Sequence, residues 1–376
     1  MIQHYINQLE KFKTENRFRS IPPFAQSASM INLSSNDYLG LAQDKDLQAE
    51  FLAQLSSREH LFSSSSARLL TGNFEAHEKL EFILEKLYEK PALIFNSGYH
   101  ANVGILPAIV DKQTLILADK LIHASLIDGI RLAAAANIRY RHNDYEQLEH
   151  LLEVHSADFE RIIIVTESIF SMDGDEADLS RLIALKRRHK NVMLYVDEAH
   201  AVGVRGSNGL GCAEENNCIA DVDFIVGTFG KALASVGAYV ACNQVFCDCL
   251  INTSRPFIFS TALPPVNILW TTFILERLAD FGERRAILKS RSEQFCNALK
   301  NKGKSDISTS QIVPFIVGES ADAVRLSEEL QKKGFYVLPV RPPTVPKGTA
   351  RLRFSLTSSI NEADIEQLVK TIFSTI

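Results

Sequence analysis

The feature that most limits what this chain can fold into is an alternation over residues 75–245. Short apolar runs, Ala92–Phe95, Thr114–Ala118, Arg161–Thr166, Val192–Val196, Phe224–Gly227 and Ala238–Ala241, are separated by helical stretches such as Glu75–Tyr88. Short continuous apolar runs suit strands buried on both faces, which a helix-covered, largely parallel sheet provides. Right-handed crossovers place helices on both sides of it. The expected class is α/β, with the sheet in a large domain.

Beyond it, helical stretches at Val266–Phe281 and Arg284–Lys300 lead to apolar runs at Ile312–Val317, Tyr336–Val340 and Arg351–Leu356. Helical patterns at Ala321–Lys333 and Asn361–Ser374 interleave with them, so a smaller α+β domain is expected. At the start, Ile2, Tyr5, Ile6, Leu9 and Phe12 recur at helical spacing, predicting an amphipathic helix over residues 1–20 that Ile21-Pro22-Pro23 ends. The predicted organisation is an N-terminal helix and arm at 1–45, a large domain at 46–265 and a small C-terminal domain at 266–376. A chain of 376 residues fits two or three domains of roughly 150 residues each.

Composition removes several function classes. With 46% hydrophobic and 23% charged residues the chain reads as a globular protein with a large core. The net charge is −5, and the basic run Lys186-Arg187-Arg188-His189-Lys190 reads as a solvated helix end, so no nucleic-acid partner is expected. No stretch approaches the ~20 apolar residues of a membrane span. The nearest, Ile130 to Ile138, is broken by Arg131. The polar N-terminus lacks the apolar core of a secretion signal, so a cytoplasmic location is expected. Cys242, Cys247 and Cys249 do not follow a usual zinc spacing; the six cysteines are expected to be reduced, with no metal.

In open α/β sheets ligands bind beyond the carboxyl ends of the strands. The residues that end these runs are unusual for a purely structural sheet. Ala92–Phe95 leads into Asn96-Ser97-Gly98-Tyr99. Thr114–Ala118 leads to Asp119 and then His123, and Arg161–Thr166 to Glu167 and Ser171. Val192–Val196 ends at Asp197-Glu198-Ala199-His200, and Phe224–Gly227 at Thr228-Phe229-Gly230-Lys231. Singly, each has a bland reading: a solvated loop lysine, a satisfied core histidine, an aspartate N-cap. Jointly they place an amine, imidazoles, carboxylates and hydroxyls along one edge. Lys231 can form an imine with an aldehyde cofactor. Asp197 can pair with a pyridinium nitrogen. The Asn96–Tyr99 segment opens a helix whose N–H groups can hold a phosphate. Thr228 and Ser171 add hydroxyls, His123 can stack on a ring, and His200 can hydrogen-bond a ring oxygen or an acyl group. The DEAH string at 197–200 lacks the phosphate-cradling G-x4-G-K-[ST] of an NTPase, and no G-x-G-x-x-G opens a helix after a strand, so nucleotide readings fall away.

These segments resemble the α-oxoamine synthases, a family of fold-type I pyridoxal-phosphate enzymes. The likeness runs through Asn36-Asp37-Tyr38-Leu39-Gly40, Arg68-Leu69-Leu70-Thr71-Gly72, Asn96-Ser97-Gly98-Tyr99, His123 to Gly129 and Thr166 to Asp175. It continues through Val196 to His200, Gly227 to Ala232, Phe259 to Pro265 and Arg341 to Pro346. The resemblance implies pyridoxal 5'-phosphate (PLP) as cofactor, contacted by Gly98, Tyr99, Ser171, Asp197, His200, Thr228 and Lys231. Catalytic roles fall to Lys231, His123, Asp197 and His200. It also implies a homodimer in which Thr261 reaches the neighbouring subunit's phosphate. Arg17 would meet the far carboxylate of a pimeloyl chain, and Arg341, Thr344 and Arg353, with Asn36, would surround the amino acid. The implied reaction joins L-alanine to a pimeloyl thioester, of coenzyme A or acyl carrier protein, with loss of CO2. Glycine C-acetyltransferase and serine palmitoyltransferase activities are alternatives within the class, and a non-catalytic binding or regulatory protein is the alternative outside it. One departure stands out: the loop before Arg68 is Ser63-Ser64-Ser65-Ser66-Ala67, where the family is glycine-rich, and serine resists backbone angles that glycine accepts.

Overall fold

A computed structural model describes residues 2–22, 29–55, 62–304 and 308–375. The chain forms two compact units: one of 39–170 and 176–285, the other of 1–38, 171–175 and 286–376.

The first unit is built on a seven-stranded sheet. Its order is Ala92–Phe95, Ala238–Cys242, Phe224–Thr228, Val192–Asp197, Arg161–Glu167, Thr114–Asp119, Ala136–Tyr140. Ala238–Cys242 is antiparallel to both its neighbours; the other pairings are parallel. All six expected runs are strands, and most extend one residue further to take in Asp119, Glu167, Asp197, Thr228 and Cys242. Thr114–Asp119 is buried along its whole length, and its middle, Leu115–Ala118, reads as an unbroken apolar run for that reason. Ala136–Tyr140 escapes the sequence reading because it lies at the sheet edge with most of its residues exposed or half-exposed, so nothing selects an apolar run there.

The expected boundary after residue 265 falls inside this unit, which continues to Arg285. The helix Pro265–Leu275 packs on Glu75–Tyr88 and buries Ile268, Phe273 and Ile274. Trp270 stacks edge-on to Phe51 and donates its indole N–H to the Ala234 carbonyl at 2.9 Å. The expected helix over 266–281 ends at Leu275, and a 3-10 turn at Leu278–Phe281 follows.

The second unit contains the antiparallel sheet Pro339–Val340, Ala350–Ser355, Ile312–Gly318, with the helix Ser320–Lys332 packed on it. Ile31–Asn32 pairs in parallel with Phe335–Tyr336. The segment 171–175 belongs here because its polar groups are satisfied here: Asp173 pairs with Arg351 at 2.5 Å, and the Gly174 carbonyl accepts from Ser308 and Ser310 at 2.8 and 2.7 Å. The N-terminal helix is Ile2–Thr14, shorter than the expected 1–20. Asn16 takes the left-handed conformation (φ 52°), and the N–H groups of Arg17 and Phe18 close on the Phe12 carbonyl, which ends the helix. None of its residues is buried. Among the described residues no helix is long and apolar enough to cross a membrane.

Candidate active site

In the first unit the expected residues converge at the carboxyl edge of the sheet. Register pairs Glu167 with Asp197, and Asp197 with Val226, two residues before Thr228. The strand Ala92–Phe95 feeds Asn96 and Ser97 into the helix Gly98–Ile109. Ser97 is the N-cap: its backbone is extended and its hydroxyl accepts from the His100 N–H at 3.1 Å. The N–H groups of Gly98 and Tyr99 thus open a twelve-residue helix, at its positive dipole end. A Cβ on Gly98 would lie 3.8 Å from the Thr228 Cβ, so the helix start and the Thr228 hydroxyl flank one spot. Thr228 donates to the Gly237 carbonyl at 3.0 Å and accepts from the Gly230 N–H at 3.3 Å. The Tyr99 hydroxyl donates to Asp128 at 2.7 Å, and that contact raises its pKa.

Three residues beyond Thr228, the Nζ of Lys231 lies 2.8 Å from Nε2 of buried His200. The turn carrying His200 reaches the lysine loop because residue 203 is glycine. Its φ is +84°, and a Cβ there would stand 2.7 Å from that of Ala232. Asp197 is buried; its two oxygens accept from the Ala199 N–H at 2.9 Å and from Asn102 Nδ2 at 2.8 Å. His123 is the N-cap of the helix Ala124–Leu132, and its Nδ1 accepts from the Ser125 N–H at 3.2 Å. Burial, opposed by the charge of Asp197 and reinforced by that of Lys231, pulls the His123 pKa down, so the ring is held neutral.

Sequence reasoning missed Asn102, Ser125 and Glu198. The first two lie inside helices where polar residues usually face water, and no local signal marks them as buried. Glu198 was only part of a string; its fully buried carboxylate accepts from the Ser168 hydroxyl at 2.5 Å and the N–H groups of Cys212 and Ala213 at 3.0 and 2.7 Å. It ties the turn 197–200 to the glycine-rich segment after it.

The serine loop carries its left-handed residue at Ser65 (φ 52°), a conformation serine adopts here with its hydroxyl 3.1 Å from that of Ser63. Ser64 donates to the Leu263 carbonyl at 2.6 Å, and the Ala262 N–H donates to the Ser66 carbonyl at 2.9 Å. Thr261 is exposed and its carbonyl accepts from Asn96 at 2.7 Å.

In the second unit Arg353 is a buried hub. Its guanidinium donates to the Ser171 carbonyl and the Ser355 hydroxyl, each at 2.5 Å, to Asn36 Oδ1 at 3.2 Å and to the Tyr38 hydroxyl at 3.4 Å. Three of the expected residues, Asn36, Ser171 and Arg353, therefore come together. Arg341 and Thr344 form a separate group with the N-terminal arm. Arg341 donates to the Asn16 carbonyl at 2.7 Å, and Arg19, which the sequence reading did not single out, donates to the Thr344 hydroxyl at 2.7 Å. Arg17 pairs with Glu15 at 2.7 Å and lies over the Phe12 ring.

The donor set of the first unit fits PLP: an amine for the aldehyde, a buried carboxylate for the ring nitrogen, a neutral imidazole for the ring face, and a helix N-terminus with a hydroxyl for the phosphate. Among the described residues one cluster, Glu176, Cys212 and Glu215, has metal-ligand spacing, but Arg205 already pairs with both carboxylates at 2.9 and 2.7 Å.

Comparison with known proteins agrees. The model of the family described as "Aminotransferase class I and II" matches residues 28–372. An 8-amino-7-oxononanoate synthase from Haemophilus ducreyi is 56% identical over 353 residues, 92% of this chain and 91% of that protein. A solved serine palmitoyltransferase from Sphingomonas wittichii superposes with a TM-score of 0.85 at 32% identity, covering 92% of this chain and 87% of that one. Another, determined with PLP, gives 0.85 at 30% identity with the same coverage. This chain belongs to the aminotransferase class I and II family, and within it to the PLP-dependent α-oxoamine synthases, acyltransferases of fold type I.

Proposed function

We propose that the protein condenses L-alanine with a pimeloyl thioester, of coenzyme A or acyl carrier protein, to give 8-amino-7-oxononanoate, CO2 and the free thiol. On this reading it acts as a homodimer in the cytoplasm and serves biotin synthesis. The observation that carries it is the assembly of Lys231, His200, Asp197 and His123 at one sheet edge, in a chain 56% identical to an 8-amino-7-oxononanoate synthase.

When bound, PLP supplies an aldehyde that captures primary amines and a protonated ring that takes up the electron pair left at the amino-acid α-carbon. The chain's own residues do the rest. Gly98, Tyr99 and Thr228, with Ser171, hold the phosphate and its neighbourhood. Asp197 holds the ring nitrogen protonated, and His123 covers a ring face. Lys231 takes the α-proton of alanine on Nζ, and His200, at 2.8 Å, orients that amine and hydrogen-bonds the ring oxygen or the incoming acyl group. The new C–C bond joins the alanine α-carbon to the thioester carbonyl, the C–S bond breaks and the departing thiolate takes up a proton; the alanine carboxylate then leaves as CO2, and the electron pair it leaves on the α-carbon takes a proton in its place. Arg353, Arg341 and Thr344 take the amino-acid carboxylate, Asn36 supports the substrate, Arg17 takes the far carboxylate of the acyl chain, and Thr261 serves the neighbouring subunit's phosphate.

The test is a thiol- and CO2-release assay crossing alanine, glycine and serine with pimeloyl, acetyl and palmitoyl thioesters. The alanine–pimeloyl pair is expected to turn over fastest. A clear preference for serine with palmitoyl, or glycine with acetyl, would move the protein to another activity of the class.

A further inference from the structure

We propose that Asn102 is a positioning residue for this reaction: one side-chain amide holds the Asp197 carboxylate and, by way of Ser125, holds His123 as the Nε2-protonated tautomer. The inference deepens the reading above, on which Asp197 and His123 serve the cofactor.

The direction of each bond is forced. An ionised Asp197 can only accept, so the Asn102 atom 2.8 Å from its Oδ2 is the amide nitrogen. Asn102 Oδ1 then faces the Tyr195 hydroxyl at 2.7 Å and accepts from it. Tyr195 is fully buried, and burial together with the charge of Asp197 raises its pKa well above the ordinary phenol value, so it keeps the proton it donates. The second N–H of Asn102 goes to the Ser125 Oγ at 2.9 Å. That leaves Ser125 its own proton to give, and His123 Nδ1 lies 2.8 Å away. The same Nδ1 accepts from the Ser125 backbone N–H. A ring nitrogen that accepts from two donors carries no proton, so in the neutral ring the proton is on Nε2.

The relay spans three elements. Asp197 ends a strand, His123 caps one helix, and Asn102 sits on the helix whose N-terminus opens the proposed phosphate site. The two helices approach closely enough for this because residue 129 is glycine: a Cβ there would stand 2.4 Å from the Asn102 carbonyl oxygen. Asn102 itself is 1% exposed, so a partner lost from this network cannot be replaced by bulk water.

The experiment is long-range 1H–15N NMR of the histidine rings in the full chain, with and without PLP, the His123 signals being assigned with a His123→Gln variant. The wild type is expected to show an acceptor-type Nδ1 and a protonated Nε2. Ser125→Ala should move the Nδ1 signal toward that of a weaker acceptor, because only the backbone N–H of residue 125 then remains to bond it. Asn102→Ala should move the same signal although Asn102 does not hydrogen-bond His123. It should also raise the PLP dissociation constant and lower kcat about 10- to 100-fold with little change in amino-acid KM, the scale of a lost hydrogen bond to a charged group. A wild-type His123 protonated on Nδ1, or His123 signals unmoved in the variants, would overturn the proposal. If Asn102→Ala fails to fold, Ser125→Ala carries the test alone by the same ring signal. The NMR result does not depend on catalysis, so a failed substrate assay would count against the function and leave the relay standing.

Discussion

The Nζ of Lys231 stands 2.8 Å from Nε2 of His200, so the amine and the imidazole are in hydrogen-bond contact. Each is placed by a different strand end: His200 by the turn after Val192–Asp197, Lys231 by the loop after Phe224–Thr228.

Lys231→Ala should remove the visible absorbance of bound PLP and lower turnover by at least 10²–10⁴-fold, the usual worth of a positioned general base. Borohydride treatment of the wild type followed by peptide mapping should place the tag on residue 231. A tag elsewhere, or a fully active variant, rules the assignment out.

Asp197→Ala should lower kcat more than it weakens PLP binding. The phosphate would still be held by the Gly98–Tyr99 helix start, whereas the protonated ring would lose its counter-charge. Removing one preorganised electrostatic partner costs roughly 10²–10³ in kcat. Cofactor titration beside steady-state kinetics separates the two effects, and an unchanged kcat would refute the ring-nitrogen role.

Glu198 gives a pH dependence of stability with a definite sign. Burial pushes its carboxyl up to about 7, against the hydrogen bonds from Ser168, Ala213 and Cys212. The folded state therefore binds this proton more tightly than the unfolded chain does. The group's contribution is fully present below pH ~4.5 and is lost as pH rises through about 7. Denaturant unfolding of wild type and Glu198→Gln between pH 4 and 8 isolates it: the wild-type advantage should shrink with rising pH. A constant difference would contradict the raised value.

Gly227→Ala should destabilise the first unit. A Cβ at 227 would stand 2.3 Å from the Tyr239 ring, which is fully buried, stacked on Phe229 and hydrogen-bonded to Tyr88 at 2.5 Å. With no room to yield, the cost should be at least the 1–3 kcal/mol typical of overpacking. Chemical denaturation measures it, and a loss below ~0.5 kcal/mol would show the ring free to move.

Arg353→Lys should raise the amino-acid KM and leave PLP affinity nearly unchanged. The guanidinium meets Ser171, Ser355 and Asn36 together, and the single ammonium of lysine cannot reproduce that fork. A KM equal to wild type would remove Arg353 from the substrate carboxylate.

The sequence by itself determined the sheet and its chemical edge. Leu115–Ala118 and Ile162–Val165, the middles of their strands, are buried, so apolar residues fill them and the runs are visible without a structure. Polar residues placed where those runs stop had to lie at one edge, because parallel strands end together; Asn96, Asp197, Thr228 and Lys231 were legible for that reason. What only the tertiary structure decided are partnerships made across the chain. Asn102 meets Asp197 from 95 residues away and Arg353 meets Asn36 from 317 away, and neither pairing leaves a periodicity or a spacing to read. The edge strand Ala136–Tyr140 was hidden because exposure relaxes its composition, and the segment 171–175 joined the smaller unit because Arg351, Ser308 and Ser310 satisfy its polar groups there. Burial constrains residue type locally and so writes itself into the sequence; a hydrogen bond between distant segments constrains only the geometry that folding brings about.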